Sequence, residues 1–218
     1  TLGRIVERGP ENTALPGGRA VAMWPWEHLA VGYILYSAWR RVSGRSSTTG
    51  RAVLVLAVAT QLPDLIDKPL GWGTTWLPGG HSLAHSLFFA LPVVTVAYAA
   101  SRRSGTPGLG AAFGIGYLSH LPGDMVYPLV MNGELGTEFL FWPLIPADAS
   151  ISTSVVGRAG DLLAAFIGFL ATPVGLVYLG FEIALLGTAV LLWYVDGVPG
   201  VGEAGTVSAQ LSAAIQMV

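Results

Sequence analysis

Six side chains in this chain could hold a divalent metal ion: His28, Asp64, His81, His85, His120 and Asp124. His81 and His85 are four residues apart, as are His120 and Asp124. On a helix that spacing puts both members of a pair on one face, able to reach one ion. Imidazole with carboxylate is the ligand chemistry of zinc and related divalent ions. The chain has no Cys, so thiolate ligands are excluded and the donors must be nitrogen and oxygen. Zinc fits that set, with manganese as the other choice, as one ion or two. The His81–His85 spacing equals that of the zincin helix, but position 82 is Ser. The general-base Glu of a zincin protease is therefore missing.

Asp67 and Lys68 adjoin this set and are the catalytic candidates. Asp67 would be a ligand or a general base, and Lys68 would offset charge developing on a substrate. Glu27 and Glu138 are weaker candidates, and Glu182 stands alone in an apolar run. A bound divalent ion lowers the pKa of water and polarises a phosphoryl or acyl oxygen, so hydrolysis of an ester is the expected chemistry. Two rival readings use the same donors. One is a divalent-cation transporter, which also needs a path to the other side of the membrane. The other is a non-catalytic protein with a structural metal.

The elements that must carry these residues are apolar. Hydrophobic residues make up 52% of the chain and charged residues 11%, and the mean hydropathy is +0.60. Soluble domains usually carry about 25% charged residues. The expected fold is all-α: a polytopic membrane bundle of about five or six membrane helices. Four spans are expected near 22–39, 52–66, 82–100 and 109–125. The stretch 162–195 would be one or two more. Residues 68–80 read as a loop, and residues 126–161 as irregular, with a short interfacial or re-entrant segment at 139–146. A polar arm would occupy 1–20, the membrane domain 21–195 and a flexible tail 196–218. The expected partners are the bilayer and a lipid or lipid-linked substrate. No basic patch with interleaved aromatics points to nucleic acid, and the sequence does not set the oligomeric state.

Alternation of the spans decides where the site lies. Arg40, Arg41, Arg45 and Arg51 follow the first span, and Arg102 and Arg103 follow the third. Both groups fall on one side, which the positive-inside rule makes cytoplasmic. His28 opens the first span, Asp64 and Asp67 end the second, His81 and His85 open the third, and His120 and Asp124 end the fourth. All four clusters then converge on the opposite, non-cytoplasmic face.

Several motifs carry a family resemblance: Glu27-His28-Leu29, Leu62-Pro63-Asp64, Ala84-His85-Ser86-Leu87, Gly116-Tyr117-Leu118-Ser119-His120 with Asp124, and Trp142-Pro143. Over about residues 22–146 the chain resembles the membrane-bound predicted metal-dependent hydrolases, which include a LexA-regulated inner-membrane hydrolase. The resemblance implies His28, Asp64, His85, His120 and Asp124 as metal-site residues. Two departures stand out. The family's Pro-Asp-x-Asp is here Pro63-Asp64-Leu65-Ile66-Asp67, one residue longer. Its two histidines, five apart around an Arg, are here four apart without the Arg, so His81 departs from the pattern.

Overall fold

The computed structural model describes residues 23–44, 48–74, 76–133, 135–147 and 154–201. The arm at 1–20 and the tail from 202 onward lie outside these residues. Six α-helices follow one another: α1 Pro25–Val42, α2 Gly50–Trp72, α3 Leu87–Arg103, α4 Pro107–Asn132, α5 Val155–Leu170 and α6 Pro173–Val195. A 3-10 turn, Glu138–Phe141, lies between α4 and α5. The fold is all-helical, and no strand occurs among the described residues.

Local chemistry sets the helix starts. Pro25, Pro107 and Pro173 stand at first helical positions, where a missing N–H costs nothing. The Glu27 carboxylate accepts from the Trp24 N–H at 2.6 Å. Side-chain oxygens of Thr49, Ser86, Ser154 and Thr172 cap α2, α3, α5 and α6, each satisfying an N–H that the helix leaves open. Gly133 ends α4 at φ 75°, a left-handed position that glycine takes without strain.

Helix α4 is central and packs against α1, α2 and α3, while α6 packs on α1. Small residues permit the close crossings. A Cβ on Gly116 would lie 2.8 Å from the Leu56 carbonyl oxygen. Asp196, just past α6, accepts from Tyr33 at 2.9 Å, Ser37 at 2.7 Å and Arg41 at 2.7 Å. Tyr178 bonds Glu27 at the other end, so α6 runs parallel to α1. Arg40, Arg51, Gly105 and Pro107 line one cavity of about 350 Å³, which gathers the arginine-bearing ends of the helices in one place.

Several boundaries differ from the sequence expectation. Helix α2 continues to Trp72 through Pro63 and Pro69, so the first five residues of the expected loop 68–80 are helical. Helix α3 starts at Leu87, leaving His81 and His85 in a segment of turns and bends. Helix α4 runs seven residues past Met125 to Asn132, and α5 begins before 162. The stretch 162–195 holds the end of α5 and all of α6, separated by a turn before Pro173. Among the described residues, α6 alone is long and apolar enough to cross a membrane by length and composition. The other helices miss that mark for visible reasons. Helix α3 has 17 residues, and α2 carries Arg51, Asp64, Asp67 and Lys68.

The distribution of polarity runs against that of a water-soluble core. His28, His85, His120, Glu27, Thr60 and Asp67 are among the largest fully buried side chains. Val58, Leu65, Phe88, Val96 and Phe181 are each more than half exposed.

Candidate metal centre

Four elements bring the expected residues together. Helix α1 carries His28, α2 carries Asp64, α4 carries His120 and Asp124, and the turn before α3 carries His81 and His85. The ligand atoms of Asp64, His81, His85 and Asp124 lie within 4.8 Å of one another, as do those of His28, Asp64 and His120. The two sets share Asp64. The His28 and His120 rings stack at 3.7 Å.

Hydrogen bonds fix the tautomers of two histidines. His120 Nδ1 lies 2.6 Å from the Thr60 carbonyl. A carbonyl only accepts, so Nδ1 carries the proton and Nε2 presents a lone pair. His85 Nδ1 lies 2.8 Å from Asp67 Oδ2. The Asp67 carboxylate also accepts backbone N–H groups of Ser82 at 2.8 Å, Ala84 at 3.0 Å and His85 at 3.2 Å. Three such donors favour the ionised acid, so His85 donates from Nδ1 and its Nε2 is likewise bare.

The bare atoms face each other. His85 Nε2 lies 3.1 Å from His120 Nε2, 3.3 Å from Asp124 Oδ2 and 3.4 Å from Asp64 Oδ1. His120 Nε2 lies 3.1 Å from Asp124 Oδ2 and 3.7 Å from Asp64 Oδ1. Among the described residues, Asp64 Oδ1 and Asp124 Oδ2 are buried with no hydrogen-bond partner, as are both nitrogens of His28 and Nε2 of His81. Acceptors packed this closely in a dry interior repel unless a proton or a metal cation joins them. A tetrahedral ion with bonds of about 2.0–2.2 Å holds its ligand atoms roughly 3.4 Å apart. The observed separations bracket that value, so the donor set fits such an ion in both chemistry and spacing.

Surrounding groups hold this arrangement. Lys68 pairs with Asp64 Oδ2, the oxygen not turned to the histidines, and its ammonium sits 5.7 Å from the Trp72 ring centre. The Met23 N–H donates to Asp124 Oδ1 at 3.2 Å. The Tyr117 hydroxyl donates to the Ala84 carbonyl at 2.7 Å, and the Ser86 hydroxyl donates to the Trp142 carbonyl at 2.5 Å. Together these pin the histidine-bearing turn onto α4 and the 142 segment. His81 lies 3.5 Å from Asp124, with its side chain 22% exposed. It is partly exposed, whereas the side chains of His28, His85 and His120 are fully enclosed.

One sequence expectation is corrected, the helical turn of His81 and His85. The segment instead folds as turns and bends, and its Ser82, Ala84 and His85 N–H groups donate to Asp67. Asp67, expected as a ligand or general base, accepts from three backbone N–H groups and lies against His85 Nδ1, an arrangement that orients the His85 ring. Among the weaker candidates, Glu138 is exposed and accepts from the Thr137 N–H at 3.0 Å. Glu182 accepts from Trp26 Nε1 at 2.5 Å, and Glu27 bonds Tyr178 and Trp24. None of these three joins either ligand set. Sequence reasoning missed the Thr60 carbonyl, Met23 and the role of Tyr117. Tyr117 lies three residues before His120 in the most specific motif, so a signal was present for that residue alone.

The model of one family, described as YdjM inner membrane protein, matches residues 23–198. That description names a membrane protein and specifies neither a reaction nor a metal. No curated protein and no solved structure matches the chain.

Proposed function

The chain belongs to the YdjM inner membrane protein family, and from that premise we propose a membrane-embedded, metal-dependent hydrolase. It cleaves an ester, most naturally a phosphoester, of a lipid or lipid-linked substrate at the non-cytoplasmic interface. The observation that carries this reading is the buried meeting of His85 Nε2, His120 Nε2, Asp64 Oδ1 and Asp124 Oδ2, all acceptors. Helices α1 to α4 and α6 cross the bilayer in this reading, with the arginine end cytoplasmic. Exposed apolar side chains over a polar interior support that placement, since lipid replaces water as the neighbour. The site then lies where α1 begins, level with the headgroups of the opposite leaflet.

A divalent ion held there, zinc or manganese, supplies Lewis acidity to water and to the ester oxygen. His85 and His120 hold it through Nε2, oriented by Asp67 and the Thr60 carbonyl. Asp64 and Asp124 add one oxygen each. With His28 and His81 the donor set would be large enough for one ion or two. Asp124 Oδ1, which accepts from the Met23 N–H, would be the oxygen free of the ion and able to take a proton from water. Lys68 limits the negative charge on Asp64 and opposes charge building on the leaving group. His81, on the exposed side, meets the substrate first.

The test is turnover of a panel of phosphoesters and carboxyl esters by purified protein in lipid. Chelation should abolish it, and zinc or manganese should restore it. If no ester turns over while divalent ions cross proteoliposomes, a transporter replaces the hydrolase.

A further inference from the structure

Helix α5 keeps both of its ends at the site end of the bundle. Its first residue, Val155, abuts Gly73 just past α2, where a Cβ would meet Val155 Cγ2 at 3.1 Å. Three turns later, Phe166 packs on Trp24 at 4.8 Å and Tyr178 at 6.1 Å. Trp24 precedes α1 and Tyr178 bonds Glu27, so this end also lies beside the metal centre. Neither end reaches the arginine end. The helix has 16 residues, fewer than the roughly 20 needed to span a bilayer.

Its residues divide into three faces. Val155, Arg158, Leu162, Phe166 and Phe169 recur at three- and four-residue spacing and are the less exposed ones, so this face rests on the protein. Val156, Leu163 and Ile167 lie on a second face and are 81%, 46% and 61% exposed. Gly157, Asp161 and Gly168 form a third face, small and polar, and are also exposed. A helix with one apolar and one polar outward face suits a water–lipid boundary. It suits neither full immersion nor full hydration.

We propose that α5 lies along the membrane surface on the site side. Its Val156–Leu163–Ile167 stripe enters the boundary between headgroups and acyl chains of that leaflet. Its Asp161 face meets water. The occupant of the apolar stripe is the bilayer itself. Phe166 belongs to the same apolar cluster as Met23, and the Met23 N–H holds Asp124. One residue, Met23, therefore links the surface helix to the metal centre. The inference rests on the membrane orientation given under the proposed function, not on catalysis.

Spin labels on single cysteines test it in the full chain, which has no native Cys. Labels replace Val156, Leu163 and Ile167, with Asp161 and Gly168 as comparisons, in vesicles of phosphatidylethanolamine and phosphatidylglycerol. The three stripe labels should report one shallow depth, with oxygen contact exceeding contact with a water-soluble nickel reagent. The Asp161 and Gly168 labels should show the reverse. A depth that changes steadily by about 16 Å from Val156 to Ile167 would mean a crossing helix and overturn the proposal. Equal nickel contact on both faces would also overturn it. Metal content and ester turnover are read separately, so the surface helix and the hydrolase can each fail alone.

Discussion

His85 should matter more to metal binding than His81 because a carboxylate stands behind its ring. Asp67 fixes the His85 tautomer, whereas His81 is partly exposed and has no such partner behind its ring among the described residues. Groups that orient a ligand histidine are typically worth 10–100-fold in metal affinity. Asp67→Asn should therefore weaken binding by about that factor without removing a donor from the ion, read by competition against a chelator of known strength. An unchanged affinity would return Asp67 to the role of base. Likewise, His85→Ala should release more metal than His81→Ala, measured as ions retained per chain after dialysis. Equal losses would place His81 in the ligand set as firmly as His85.

The helices position these residues through contacts that leave no room for change. Gly116 sits where α4 crosses α2, with the Leu56 carbonyl 2.8 Å and the Ala59 Cβ 3.0 Å from an added Cβ. Backbone cannot yield as a flexible side chain can. Gly116→Ala should destabilise the protein by about 1–3 kcal/mol, as overpacking does. A thermal melt in detergent should show a lower midpoint, and an unchanged midpoint would mean that the crossing is looser than described. The boundary at Thr172 and Pro173, where a cap and a proline coincide, stays open in the expectation of one or two spans over 162–195. The local structure at His81–His85 was not legible either. There the spacing reads as a helical turn, but a carboxylate 18 residues away in sequence takes the backbone donors. Contacts of that kind follow from tertiary packing, not from local pattern. The Thr60 carbonyl was invisible for a simpler reason: every residue has one.

At the scale of the whole molecule, convergence was the legible part. Alternating spans put His28, Asp64, His85, His120 and Asp124 on one face, and the structure brings these same residues together. The count of spans was less legible, because the ionisable residues that make the site also lower the hydropathy of the helices that carry it. Orientation can be read by cysteine labelling in intact cells. Trp76→Cys, at a position 80% exposed beyond α2, should react with an impermeant maleimide from outside. Ser104→Cys, between α3 and α4, should react only after the inner membrane is breached. The opposite pattern would invert the protein and put the His–Asp centre on the cytoplasmic face.

The most direct test of the account is elemental analysis of the protein purified without added chelator, beside the double variant His85→Ala/Asp124→Ala. The cluster of buried acceptors predicts at least one zinc or manganese ion per folded wild-type chain and little or none in the variant. Wild-type protein that is folded, free of any divalent ion and unable to take one up would contradict it.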